Sequence, residues 1–382
     1  MHIKDKPNQI VFDVSFIGWI SYYIIFFLST INEMVPINMQ VHYLIILYVS
    51  LSSFLVIANS KYTKFEIINM MFLFLIGCIV LYFARSESVL LLFIFLCATK
   101  NIDYEVTFKR LYKTLIFICL IIIIFSVVGI IPNKESTGIV FQDRRVYLGF
   151  RHPNYCGTVF LNIIFLKIIN TKAKFKIDDY LLIFLLEIIN IIGPKSKTSL
   201  ILGAFSILMV FVYNNINKRF FTNLFRTVNY MPIIFILLSI SSVYGYSNGF
   251  SWANTLNKLF STRIEQMAYY WKNYRLTMFG QILENVTSSQ SNTLMQMRAL
   301  DNGYLYILLG EGVIFTIEYI FMFIKSSKEF ILHKQIEKLI VLGILLLQGL
   351  METFIFRIEM MPVLLILADG VFKQYRPKRK LI

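Results

Sequence analysis

The chain has 382 residues, 57% of them hydrophobic and 16% aromatic, and a formal net charge of +15 from 37 Lys+Arg against 22 Asp+Glu. Apolar runs approaching the ~20 residues of a membrane span recur along it, which excludes an ordinary soluble domain. In such a chain a basic excess points to cytoplasmic loops and anionic membrane lipid. No RNA- or DNA-binding pattern competes, so nucleic acid is not an expected partner.

The N-terminal stretch MHIKDKPNQ is basic and precedes an apolar run at 10–28, as a signal peptide would. No small-residue cleavage site follows at FLSTINEMVP, so a retained first span is expected. Further apolar runs fall at 41–58, 66–84, 88–99, 112–131, 153–170, 179–193, 198–213, 230–245, 302–323, 336–355 and 358–372. The fold class predicted is therefore all-α: a polytopic integral membrane protein with about 12 transmembrane helices. No internal repeat or low-complexity linker divides it, so 1–382 reads as a single membrane domain. Its long outer loop covers 246–300. Cys78, Cys97, Cys119 and Cys156 lie in or beside apolar runs without CxxC or Cys/His ligand spacing, and read as small apolar fillers.

Orientation follows from counting cations. With both termini cytoplasmic, 24 of the 37 basic residues fall inside and 13 outside, as the positive-inside rule expects. The outer cations cluster. Lys134, Arg144, Arg145 and Arg151 crowd one loop, Lys195 and Lys197 another, and Lys258, Arg263, Lys272, Arg275 and Arg298 sit in 246–300. Cations kept outside against the bias suggest an anionic ligand there.

The stretch LGFRHPNYCG, residues 148–157, concentrates the argument. Pro153 suits the first position of a helix, whose free N–H groups and positive dipole end would face the outer interface. Arg144, Arg145 and Arg151 lie within ten residues of that start. Guanidinium groups match phosphate in a two-pronged geometry, so this turn is expected to hold a phosphate or pyrophosphate. Interfacial arginines also snorkel to lipid headgroups, and a histidine before proline commonly serves as a helix-start hydrogen bonder; both alternatives stay open. GPKSKTSLILG and RALDNGYLYILLGEG repeat the pattern of basic residues beside a helix start, with Asp301 and Asn302 in the second.

In 246–300, Trp252, Leu256, Leu259, Phe260, Ile264, Met267, Trp271 and Tyr274 recur at helical spacing. One or two amphipathic helices lying on the outer leaflet are predicted. TRIE at 262–265 fits a capping box with Arg263 in the first helical turn. Glu187 and Glu311 fall near mid-membrane, where a carboxylate is functional by default or else joins helices.

LGFRHPNYCG resembles the Gly-Phe-x-His-Pro-Asn segment of the Wzy-type bacterial polysaccharide polymerases, which make capsule and O-antigen from lipid-linked repeat units. FSTRIEQMAYYW followed by Phe279-Gly280 is similar to the Arg-then-Trp stretch that they share with the O-antigen ligases. DNGYLYILLGEG resembles their Asp-Asn-x-Tyr segment, and the three occur in matching order over nearly the whole chain. The resemblance implies a glycosyltransferase in the bacterial cytoplasmic membrane. It would move a growing glycan from undecaprenyl pyrophosphate onto a lipid-linked oligosaccharide at the outer face. It further implies flippase and chain-length regulator proteins as partners.

By that resemblance Arg151 and Arg263 hold the pyrophosphate, with Arg144, Arg145 and Arg298 in support. His152 and Asp301 are the catalytic candidates for a general base, with Asp143 and Glu265 behind them, and Asn154, Asn302 and Tyr304 are supporting residues. No metal cluster is visible, so a metal-independent reaction without cofactor is expected. The chain departs from the ligases in one respect: 246–300 contains no histidine. A flippase or transporter of lipid-linked oligosaccharide is the alternative; it should carry cations along an internal cavity rather than on one face.

Overall fold

Long helices with apolar side chains facing outward dominate the computed structural model, which describes residues 6–137, 144–215, 226–284 and 299–372. Helix α1 (Lys6–Tyr23) continues through a π turn at Ile24–Leu28, giving an apolar stretch of 22 residues from Pro7. After the short α2 (Ile31–Met34) come α3 (Met39–Ala58), α4 (Lys64–Ala84), α5 (Glu87–Ala98) and α6 (Tyr104–Val127). Then follow α7 (Pro153–Thr171), α8 (Ile177–Ile192) and α9 (Lys197–Asn215). Five stretches, Pro7–Leu28, α3, α4, α6 and α9, are apolar enough and long enough to cross a membrane. At a rise of 1.5 Å per residue each covers ~30 Å, about the hydrocarbon thickness.

Side-chain caps set where these helices begin, because the first four N–H groups of a helix need outside acceptors. Asn38 accepts from Gln40 N at α3, Asp103 accepts from Glu105 N and Val106 N at α6, and Thr63 with Glu66 closes a reciprocal capping box on α4. The outward faces are apolar: Leu44 and Leu55 on α3, and Phe65, Ile68 and Met71 on α4, are all more than half exposed. A surface of that kind suits lipid rather than water.

The twelve apolar runs do not become twelve long helices. A sixth candidate arises only if α10 (Met231–Ser247) and α11 (Ser251–Leu259) are joined across their 113° bend. Helix α5 has 12 residues and α8 has 16. The run at 302–323 is interrupted: α13 (Gly303–Tyr306) passes into a π turn at Ile307–Glu311, and Gly312 breaks the chain before α14 (Val313–Leu332). Helix α15 (Ile336–Gln348) stops inside the run at 336–355, and the last run is mostly a 3-10 turn, Pro362–Leu367, ahead of α16 (Ala368–Val371). The physical reason is burial. Helices α5, α7 and α15 and the Pro362–Leu367 turn are enclosed by other helices on nearly every side. A segment surrounded by protein is as apolar as one facing lipid, without needing its length.

Gly312 shows how the break is made. Residues 277–281 lie across it, with Val313 N donating to Thr277 O at 3.0 Å and Gln281 N to Gly310 O at 2.8 Å. A Cβ on Gly312 (φ 94°) would stand 2.3 Å from the Gly280 nitrogen, so the crossing requires glycine there.

Two further expectations are refined. The all-α prediction gains one antiparallel hairpin, β1 (Glu135–Thr137) with β2 (Arg144–Val146). In 246–300, α11 is followed by α12 (Arg263–Asn273), which buries Ile264, Met267 and Tyr270 and packs against α10. Arg263 does open α12, but Thr262 forms no side-chain cap, because its backbone is left-handed. Asn257, from α11, accepts from Glu265 N instead. Trp252, Leu259 and Phe260 remain exposed, whereas Tyr270 takes the buried place expected of the stripe.

One end of the bundle collects the loops that matter. Arg151 N donates to Leu28 O, Thr30 Oγ1 to Pro132 O, Val146 N to Gly193 O and Gly303 N to Gly349 O. The ends of α1, α6, α8 and α15 thus meet the starts of α7, α9 and α13.

Candidate functional site

The start of α7 is built as its residues require. Pro153 occupies the first turn, and the His152 ring accepts from Asn154 N through Nδ1 at 3.2 Å. Burial, with Arg145 and Arg263 nearby, lowers the His152 pKa to about 4. A neutral ring whose Nδ1 accepts must carry its proton on Nε2. His152 is therefore a helix cap that offers a hydrogen-bond donor outward, and it is poorly suited to the general-base role expected of it.

Arg144 and Arg145 are neighbours on a strand, so their side chains leave opposite faces. Arg144 turns outward and closes a two-pronged pair with Glu135, both bonds 2.6 Å, in exposed surroundings. Arg145 turns inward. Its Nε donates to Pro194 O at 2.9 Å and its Nη2 to Asn154 Oδ1 at 3.1 Å. Burial lowers its pKa from the ordinary arginine value.

Arg263 approaches from α12. Its Nη1 donates to Met351 O at 2.5 Å, and its Nε and Nη2 lie 3.5 Å from Asp301 Oδ2 and 3.8 Å from Glu352 Oε1. Arg151 adds a third guanidinium beside His152. Its Nε is buried and meets no hydrogen-bond partner among the described residues.

Glu352 ties these groups together. It follows the end of α15, is 6% exposed, and accepts from Asn154 Nδ2 at 3.1 Å. Asn154 thus bridges Arg145 to Glu352, while Arg263 reaches Glu352 from the other side. Burial pushes the Glu352 carboxyl up to about 7; Arg263 pulls it back, Asp301 adds to the rise, and Arg145 opposes it. A carboxyl poised near neutral pH, beside guanidiniums with unused donors, can exchange a proton while its neighbours hold an anion.

Of the residues singled out in the sequence, Arg145, Arg151, His152, Asn154, Arg263 and Asp301 come together, and Arg144 stands apart on its own partner. Asn302 and Tyr304 belong to the packing beneath. Asn302 caps Leu305 N and donates to Leu350 O and Ser239, and the buried Tyr304 hydroxyl donates to Leu346 O. Arg298 and Asp143 lie outside the described residues. Glu265, in α12, donates its backbone N–H to Asn257 Oδ1 of α11. Glu187 packs over Gly203 of α9, and Glu311 is buried in the π turn.

Glu352 was missed because it sits inside the run 336–355, taken as one span. Its signal in the sequence is slight: an acid three residues after Gly349, in an otherwise apolar run. No protein-family model, curated protein or solved structure matches the chain.

Proposed function

We propose that this protein is a membrane glycosyltransferase of the polysaccharide-polymerase kind. It would transfer a growing glycan from undecaprenyl pyrophosphate onto a lipid-linked repeat unit at the outer face of the cytoplasmic membrane. The observation that carries the reading is the convergence of Arg145, through Asn154, and Arg263 on Glu352 at the start of α7, where Arg151 adds a buried Nε without a partner among the described residues. The resemblance of LGFRHPNYCG and its companion motifs supports it independently. In this reading both termini are cytoplasmic, the five long helices and the shorter runs alternate across the bilayer, and the arginine cluster faces outward.

The chemistry assigns each group a role. Arg145, Arg151 and Arg263 hold the diphosphate with charge-assisted bonds. The acceptor hydroxyl attacks the anomeric carbon of the donor, and its proton passes to the Glu352 carboxylate. The bond from that carbon to the phosphate oxygen breaks, and undecaprenyl diphosphate leaves with the electron pair. The guanidiniums stabilise charge as it gathers on the leaving oxygen, the point at which fixed donors lower a barrier most. Asp301, the more open of the two carboxylates, balances Arg263 and is the second candidate for the base. His152 Nε2 donates rather than accepts.

The purified chain, reconstituted in lipid and given the cognate lipid-linked repeat unit, is expected to produce a ladder of polymer. Arg145→Ala and Arg263→Ala should leave the single unit unextended. Full ladders from both variants would remove the assignment.

A further inference from the structure

Around Arg357 lies a second polar cluster that the transfer step does not use. Tyr155 stands in the field of Arg357 as well as of Glu352, Arg151 and Asp301. Arg357 follows a 3-10 turn, Thr353–Phe356. Its guanidinium lies 5.5 Å from the centre of the Tyr306 ring and 5.6 Å from that of Phe356, with Nη2 3.3 Å from the Tyr306 hydroxyl. Its Nε is buried without a hydrogen-bond partner among the described residues.

Two carboxylates share its surroundings. Glu359 takes the Ser88 hydroxyl on Oε1, leaving Oε2 buried and without a partner among the described residues. Glu311 is 1% exposed, and its Oε2 likewise has none among them. The π turn at Ile307–Glu311 and the break at Gly312 put it there. Such single-turn π segments are frequent at functional sites.

Three ionisable side chains with open hydrogen-bonding atoms in one interior region call for a ligand, since buried polar groups are otherwise satisfied. Their hydrogen-bonding character selects its chemistry. A single guanidinium beside two carboxyl groups lacks the converging donors that a diphosphate needs. What fits is a neutral molecule that both gives and takes hydrogen bonds: hydroxyls donate to the carboxylate oxygens, and an ether or hydroxyl oxygen accepts from Arg357. The half-buried rings of Tyr23, Tyr155 and Tyr306 flank the region and suit the apolar face of a sugar.

We propose that Glu311, Arg357 and Glu359 form a subsite for a neutral pyranose ring of the acceptor glycan, an inference that rests on the glycosyl-transfer reading above. The subsite holds the acceptor while the arginine cluster holds the donor diphosphate.

The test is thermal unfolding of the full chain in lipid nanodiscs. The probes are methyl glycosides of glucose, galactose, mannose and N-acetylglucosamine, and, separately, inorganic pyrophosphate. At least one glycoside is expected to raise the melting temperature in a saturable way, as ligand binding to the folded state does. Glu311→Gln and Glu359→Gln should each weaken that response about tenfold, the scale of a lost charged hydrogen bond, and leave the pyrophosphate response intact. Arg145→Ala should do the reverse. If a Gln variant fails to fold, Tyr306→Phe, which removes one oxygen, should still weaken the glycoside response several-fold. Absence of any glycoside response in the unaltered chain, or a response unchanged by these substitutions, overturns the subsite. Absence of a pyrophosphate response overturns the transfer reading instead.

Discussion

The two ends of the helix bundle hold their cations differently. At the end where α4, α6, α8 and α15 begin, four cations each meet a carboxylate: Arg110 with Asp13, Lys100 with Glu66, Lys167 with Asp179, and Lys338 with Asp369. At the end where α7 and α9 begin, Arg145 is held by a carbonyl and an amide, Arg151 has an open Nε, and Arg263 shares Glu352 with Asn154. The first arrangement staples helices. The second leaves donors free at the mouth of a buried carboxyl.

The comparison is sharpest where a pair is most enclosed. Lys338 and Asp369 are each 1% exposed and 3.0 Å apart, and the Tyr104 hydroxyl also donates to Asp369. Removing one partner of such a pair leaves a buried charge uncompensated, at a cost of about 3–5 kcal/mol. Asp369→Asn is therefore expected to lower the thermal unfolding temperature strongly in nanodiscs, and folded molecules should still extend glycan. Replacing both Lys338 and Asp369 by apolar residues should recover most of that loss. Arg263→Ala should behave the other way, with little change in unfolding and a drop of about 10²–10³ in the rate of chain extension, the scale of one lost oxyanion donor. Unfolding of Arg263→Ala comparable to that of Asp369→Asn would erase the distinction.

Glu352 gives the contrast a pH dependence. Its carboxyl sits at about 7 in the fold, above the ordinary carboxylate range. The folded state therefore keeps a proton that the unfolded chain has released, so this group's contribution to stability falls as pH rises towards 7. A base must be ionised to act, so chain extension should rise over the same interval and level off above it. Stability and activity are expected to run in opposite directions with pH. Glu352→Gln should abolish both slopes and slow extension about 10²-fold. A rate profile in Glu352→Gln that still rises through pH 7 would pass the role of base to Asp301.

How much of this was legible beforehand depends on how local the cause is. The start of α7 could be read from four letters, because a cap, a proline and an amide act on their own turn. Arg263 at the head of α12 was equally local, although the capping box around it did not form, since the left-handed Thr262 gave that task to Asn257. Only five of the twelve apolar runs became helices long enough to span a membrane: α5, α7 and α15 are enclosed by neighbouring helices, and periodicity does not distinguish a protein neighbour from a lipid one. Glu352 was hidden in a similar way, and Arg357 could be read only as an outer cation between the last two apolar runs. Their place in the site comes from the chain turning back after α15, which no short stretch announces.

The smallest expected effect tests the hairpin. Arg144 and Arg145 read as equivalents in the sequence, yet β2 sends them to opposite faces, and the Arg144 pair with Glu135 is exposed. Ion pairs this exposed are screened by water and salt and contribute little. Arg144→Ala is thus expected to leave extension unchanged and to shift the unfolding temperature only slightly. Arg145→Ala, one position along, removes the guanidinium that Asn154 links to Glu352, and should abolish the pyrophosphate response. Equal losses from the two substitutions would mean that alternation in β2 does not decide which arginine serves the site, and the hairpin register would have to be redrawn.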